Sequence, residues 1–225
     1  MNSYIYRQSC WPRGDFRIKE IVQFLKLVEE AFGCEFLYDD RGRPVDLTES
    51  EIRKIFERAV DKVFPSLGAT EDFFTISPFK RDDDTVRVEI HTGTYPDKPF
   101  VDEFDIDIGE ARKVPDLSYF ERSIEIVRPF EAFLAEDENE DQLDTYDRFQ
   151  EIGFDRPTII RGFHYLDASM VETLGGFDYV LEAPAWSVER FCDGVLIQLM
   201  AVLFDSYNSA HLRVQENVMD FFALW

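Results

Sequence analysis

Carboxylates are the residues of this chain whose number and spacing could do chemistry, and the chemistry they suit is binding a cation or a cationic surface. There are 46 Asp and Glu against 24 Lys and Arg, a formal net charge of −22. The excess is concentrated. Glu131 to Glu151 holds nine acids (Glu131, Glu136, Asp137, Glu138, Glu140, Asp141, Asp144, Asp147, Glu151) and one base, Arg148. Lys80 to Glu110 holds ten acids and four bases. Read as a helix from about Glu140, the first stretch sorts by face. Glu140, Asp144, Asp147 and Glu151 are four, three and four apart and, at about 100° per residue, fall within roughly 40° of one another. Leu143, Tyr146, Phe149 and Ile152 cover the opposite side, so the helix is amphipathic with a row of carboxylates outward. Like charges at i,i+4 cost about 0.2–0.5 kcal/mol per pair, and acids in the first turn, Glu138 to Asp141, recover part of that through the macrodipole. Such a row is either a solvated face or a docking surface for a cationic partner, with Glu136 and Asp137 at its approach.

A second acidic surface is expected nearby in sequence. Asp82, Asp83 and Asp84 lie in a connection, and Glu103, Asp105 and Asp107 alternate along a strand whose other face is Phe104, Ile106 and Ile108. Clustering of this kind opposes folding through self-repulsion. It disfavours nucleic acid and an anionic membrane as direct ligands, because both require a positive footprint.

Other chemistries find little support. Asp137-x-Asn139-x-Asp141 imitates the start of an EF-hand, but Gln142 stands where Gly is needed and Arg148 where Glu is needed. Asp105-x-Asp107 could hold a magnesium ion only weakly. His91, His164 and His211 show no metal-ligand spacing, and no GxSxG, Walker loop, GxGxxG or HExxH occurs. Cys10, Cys34 and Cys192 are odd in number and widely spaced, as expected for reduced thiols in a cytoplasmic protein. The N-terminal MNSYIYRQSCWPRG lacks a basic region followed by an apolar one, so no signal peptide is expected. The longest apolar run, Val195 to Phe204 broken by Gln198, is too short to span a bilayer. No catalytic residue, metal site or cofactor is expected.

These residues need elements to hold them. With 225 residues, 45% hydrophobic and 22 Phe, the chain can build a core. Strand signals run over Ser3–Gln8, Cys34–Tyr38, Phe73–Phe79, Thr85–Thr92, Lys98–Ile108, Phe130–Ala135 and Thr158–Tyr165. Asp15 is a candidate cap for a helix carrying Phe16, Ile21, Val22, Leu25, Val28 and Phe32, stopped at Gly33. Thr48 and Glu51 form a capping box for a helix to about Val63. Pro115-Asp116 opens a helix to about Val127, a short helix spans Ala168–Leu174, and Tyr179–Glu182 reads as extended. Trp186–Phe191 and Val195–Phe204 flank Asp193-Gly194, a type I′ hairpin signal. The second of these strands is apolar on both faces, which places it inside a sheet. A final helix spans about Ala210–Leu224 with Leu212, Val214, Val218, Met219 and Phe222 inward. The expectation is one α+β domain over 1–225, with a largely antiparallel sheet and two similarly ordered halves.

Several of these segments carry a resemblance. Gly162-Phe163-His164-Tyr165-Leu166 precedes a short helix ending Leu174-Gly175-Gly176; Val188-Glu189-Arg190 and Asp193-Gly194-Val195-Leu196-Ile197-Gln198-Leu199 follow. Their layout resembles the closing part of bacterial polymorphic-toxin and type VI secretion immunity proteins, notably the Immunity protein 52 family. Val86 to Ile108, with Gly93 between strands, is similar in layout too. The resemblance implies a non-enzymatic inhibitor that binds one cognate toxin, for that group typically a nuclease of restriction-endonuclease fold. An acidic surface complements the basic cleft with which a nuclease holds DNA. The alternatives are an acidic adaptor or structural protein that binds a basic partner, and a small enzyme of another type.

Overall fold

In the computed structural model, residues 3–11, 17–34, 46–54, 73–76, 86–91, 102–109, 114–136 and 156–224 are described. The strands are β1 (Tyr4–Cys10), β2 (Phe73–Ile76), β3 (Val86–His91), β4 (Asp102–Ile108), β5 (Glu131–Glu136), β6 (Phe163–Leu166), β7 (Ser187–Phe191) and β8 (Gly194–Gln198). The helices are α1 (Ile18–Phe32), α2 (Leu117–Val127), α3 (Ala168–Thr173), α4 (Phe177–Val180) and α5 (Ser209–Phe222); residues 49–54 are also helical. The class is α+β, as the sequence indicates. The pairs β2/β3, β3/β4, β5/β6, β6/β8 and β7/β8 are all antiparallel. The chain divides into two compact units, 8–128 and 2–7 with 129–225.

In the first unit the strand order is β2-β3-β4-β1. Val86, Val88 and Ile90 stand opposite Ile108, Ile106 and Phe104, and all six are buried. Fully burying side chains of this size stabilises by about 1.5–3 kcal/mol each. α1 lays its apolar stripe there, with Phe24 edge-on to Phe104 at 5.3 Å. It also packs beside α2, where Phe32 meets Tyr119 at 6.0 Å and Arg122 holds Glu30 through two hydrogen bonds of 3.2 and 2.9 Å. α2 starts as expected, with the Asp116 carboxylate accepting the Ser118 N–H. The Thr48 hydroxyl accepts the Glu51 N–H, one half of the capping box. The start of α1 differs. Asp15 lies outside the described residues, and the position before the first turn is Arg17, in the left-handed conformation at φ 48° with no side-chain cap. Its guanidinium supplies the compensation, donating to Asp102 Oδ2 (3.0 Å), Val127 O (3.0 Å) and Trp11 O (2.7 Å).

In the second unit the order is β1-β5-β6-β8-β7. All four residues of β6 are buried, which suits a strand flanked on both edges. β8 lies inside the sheet, as its two-faced apolar character predicts, but it ends at Gln198 and not at Phe204. β7 has five residues to offer as a partner, so the apolar run outlasts its ladder. The hairpin turn also shifts by one residue. Phe191 faces Gly194, leaving Cys192 and Asp193 as the loop, and Cys192 takes the positive φ of 50°. Gly194 serves another purpose: a Cβ there would sit 2.0 Å from Leu166 O. The strand expected over 158–165 pairs only from Phe163. The stretch expected to be extended at 179–182 begins inside α4. There Tyr179 stacks on Phe221 with centroids 4.5 Å apart, and its hydroxyl donates to Phe221 O.

α5 is rotated from its expected face. His211 and Gln215 are buried where Leu212 and Val214 were placed inward, and those two are half-buried. Hydrogen bonding explains the turn. His211 Nδ1 accepts the Asp205 N–H (3.0 Å), and Gln215 Nε2 donates to Ile160 O (2.8 Å). At the other end of α5, Arg156 donates to the carbonyls of Phe222 and Ala223, a cation where the helix dipole favours one.

Candidate functional site

The acidic residues separate on inspection. Asp137, Glu138, Glu140, Asp141, Asp144, Asp147 and Glu151, with the helix drawn through them, lie outside the described residues, as do Asp82, Asp83 and Asp84. Glu136 is described and is buried at the end of β5, where its Oε2 accepts the Ser206 N–H at 2.7 Å. It holds the 204–208 turn and is not a surface carboxylate, which corrects its place among the docking acids. Its charge, after burial and ahead of that of Asp205, pushes the Tyr4 hydroxyl above its ordinary range.

On β4 the alternation is as expected, with Phe104, Ile106 and Ile108 on one face and Glu103, Asp105 and Asp107 on the other. That second face is not an open acidic surface. Asp105 is buried, and Glu103 and Asp107 are half-buried. Across the ladder, Asp107 faces Arg87 and Asp105 faces Glu89, and Arg87 and Glu89 form an ion pair along β3. A cation in the neighbouring strand therefore already neutralises part of the face, something a single strand's pattern cannot reveal. Among the described residues no group of three or more His, Cys, Asp or Glu is placed to hold a metal ion.

Among the described residues, a His–carboxylate pair with catalytic residue types sits in the interior. His164, fully buried on β6, meets Glu131 Oε1 through Nε2 at 2.9 Å. Its Nδ1 accepts the Arg161 N–H at 3.0 Å, so the ring proton belongs on Nε2 and is donated to Glu131. Arg161 is also buried, with its guanidinium 4.5 Å above the Phe133 ring. Burial brings its pKa down to about 10, against the pull of Glu131 and with a push from Arg7. The opposite charges of Glu131 and Arg161 compensate each other out of reach of solvent, and the His164 ring donates to the carboxylate. A closed arrangement of this kind orders β5 against β6 and offers no access to a substrate. Tyr165, the residue after His164 on β6, donates its hydroxyl to Asp193 Oδ1 at 2.7 Å and ties the hairpin turn to β6.

The residues that sequence reading missed are apolar. Trp186, Val202, Leu203 and Tyr207 are exposed in the second unit. The sequence pattern places Trp186, Val202 and Leu203 in the paired strands 186–191 and 195–204. The available signal was length, since an apolar run ten residues long cannot be covered by a partner strand of five.

The fold is similar to that of the Pseudomonas aeruginosa T6SS protein PA0821, with a TM-score of 0.54 over 96% of this chain and 74% of that one, at 12% sequence identity. At that identity the likeness concerns the fold. No family model matches the chain, and no curated protein matches it either. The resemblance to the Immunity protein 52 family thus rests on the layout of the motifs quoted above. No helix among the described residues is long and apolar enough to cross a membrane.

Proposed function

We propose that this chain is a non-enzymatic immunity protein that acts in the cytoplasm by binding and neutralising a cognate secreted toxin, a basic nuclease domain. The observation that carries the reading is the fold shared along almost the whole chain with a protein of a type VI secretion system. The net charge of −22 supports a basic partner. The interior placement of the His164–Glu131 pair is in keeping with a binding protein.

The test is co-expression with the protein encoded by the adjacent gene. Growth arrest by that protein alone, relieved when this chain is present, together with a complex of the two purified proteins, is the expected result. Absence of both relief and complex overturns the reading. A stable complex with a basic protein that does not harm cells would favour the acidic-adaptor alternative, which the same charge supports.

A further inference from the structure

Exposed apolar side chains of the second unit gather at one end of the β7–β8 hairpin. Trp186 N–H donates to Leu199 O at 3.2 Å, so Trp186 stands where the chain leaves β8. Leu199 N–H donates to Gly162 O at 2.9 Å. Phe204 lies so close to the same glycine that a Cβ there would be 2.3 Å from Phe204 Cβ. Both ends of the 199–204 segment are thereby pinned at one residue, and Met200 to Leu203 form the loop tip between them. Val202 is 62% exposed, Trp186 60%, and Tyr207, three residues past the pinned Phe204, 72%. Single exposed apolar residues are ordinary, but a Trp brought beside an exposed Val-Leu pair at one tip offers an aromatic anchor with an apolar surround.

We propose that this tip anchors the bound toxin, and that the toxin presents to it an apolar hollow rimmed by Lys and Arg; the proposal rests on the immunity reading above. The local charge selects this occupant. Segments 181–189 and 198–210 contain Glu182, Glu189 and Asp205 and no Lys or Arg. Arg190, the next residue along β7, is drawn over the Phe177 ring at 4.3 Å, and it pairs with Val195 toward the opposite, Cys192–Asp193 end. A second copy of the chain would bring two acid-rimmed tips together, and an anionic bilayer would meet the same repulsion. A basic protein surface meets neither obstacle. In this arrangement the acids govern the encounter rate and the tip governs residence time.

The test is a kinetic measurement of the complex between the full chain and the adjacent-gene protein, wild type beside the W186A/V202S double variant. Both side chains face solvent, so the melting temperature should not move. Dissociation should be faster by at least about thirtyfold, the scale of a lost aromatic anchor, with association within about twofold. Hydrogen exchange of the wild-type complex should show protection over 186–189 and 199–207, and this arm decides the matter even if the double variant folds poorly. Unchanged dissociation with protection elsewhere overturns the proposal and leaves the immunity reading standing. No complex with the wild type overturns both. Concentration-dependent dimerisation, or binding to phosphatidylglycerol vesicles, that is lost in W186A/V202S also overturns it, in favour of self-association or a membrane.

Discussion

His164 and Glu131 are 33 positions apart and meet at 2.9 Å in the interior. Removing one partner leaves the other's polar group buried without compensation, which costs more than the bond itself contributes. His164→Ala should therefore destabilise the protein by about 3 kcal/mol in urea unfolding, and any loss of the proposed neutralising activity should follow the loss of fold. His164→Gln, which keeps a donor, should cost less. Cys10 offers a titration test. Burial, opposed by Arg17 and aided by Asp102, pushes its thiol up to about 12 from an ordinary value of 9.0. A thiol raised in the folded state contributes stability that is intact below about pH 9, where the unfolded thiol is still protonated, and lost as pH climbs toward 12. In native protein at pH 8, an alkylating reagent should modify exposed Cys192 quickly and buried Cys10 and Cys34 only after denaturation, as read by mass spectrometry. The sequence was informative about what these residues are not, because ligand and nucleophile motifs depend on local spacing. It was silent on Glu131 as the partner of His164, and on Asp102 as the partner of Arg17, since both pairings join residues remote in the chain.

Elements were legible wherever the apolar period was long or the cap chemistry local. α2, the body and C-terminal end of α1 and the β3/β4 face fall where period and caps place them, and Asp116, Thr48 and Gly33 act at the ends assigned to them. Errors lie where an element's limit depends on its neighbour. β8 stops at Gln198 because β7 runs out of residues. α5 turns because His211 and Gln215 find backbone partners that Leu212 and Val214 cannot use. Two measurements check this scale. Ile197→Ala, fully buried on β8, should cost about 2–5 kcal/mol in urea unfolding, whereas Val202→Ser, beyond the strand end, should leave the unfolding midpoint unchanged. Asn208 caps α5 through the Ala210 N–H, and Asn208→Ala should cost about 1 kcal/mol.

For the whole molecule, a charge of −22 acts against compaction, and the proposed basic partner would be drawn to the same charge. Screening reaches about 10 Å at 0.1 M salt and about 3 Å at 1 M. Added NaCl should accordingly raise the melting temperature of the free protein while slowing its association with the proposed basic partner. Replacing Glu140, Asp144, Asp147 and Glu151 together by Asn and Gln should leave the fold as stable or slightly more so, and should flatten the salt dependence of association. Equal slopes for wild type and variant would return that row to a solvating role. Class, charge and the absence of familiar catalytic spacings were determined by the sequence alone, because composition and short-range period carry them. Which carboxylates are surface and which are structural was decided by tertiary structure. Glu136 and Asp105 look identical to the other carboxylates around them in the sequence, and only Ser206 seventy residues on, or burial on β4 beside β3, distinguishes them. The Trp186–Val202 tip was likewise a tertiary decision: both residues read as strand from pattern, and exposure arises where the pairing strand ends and Gly162 pins the loop.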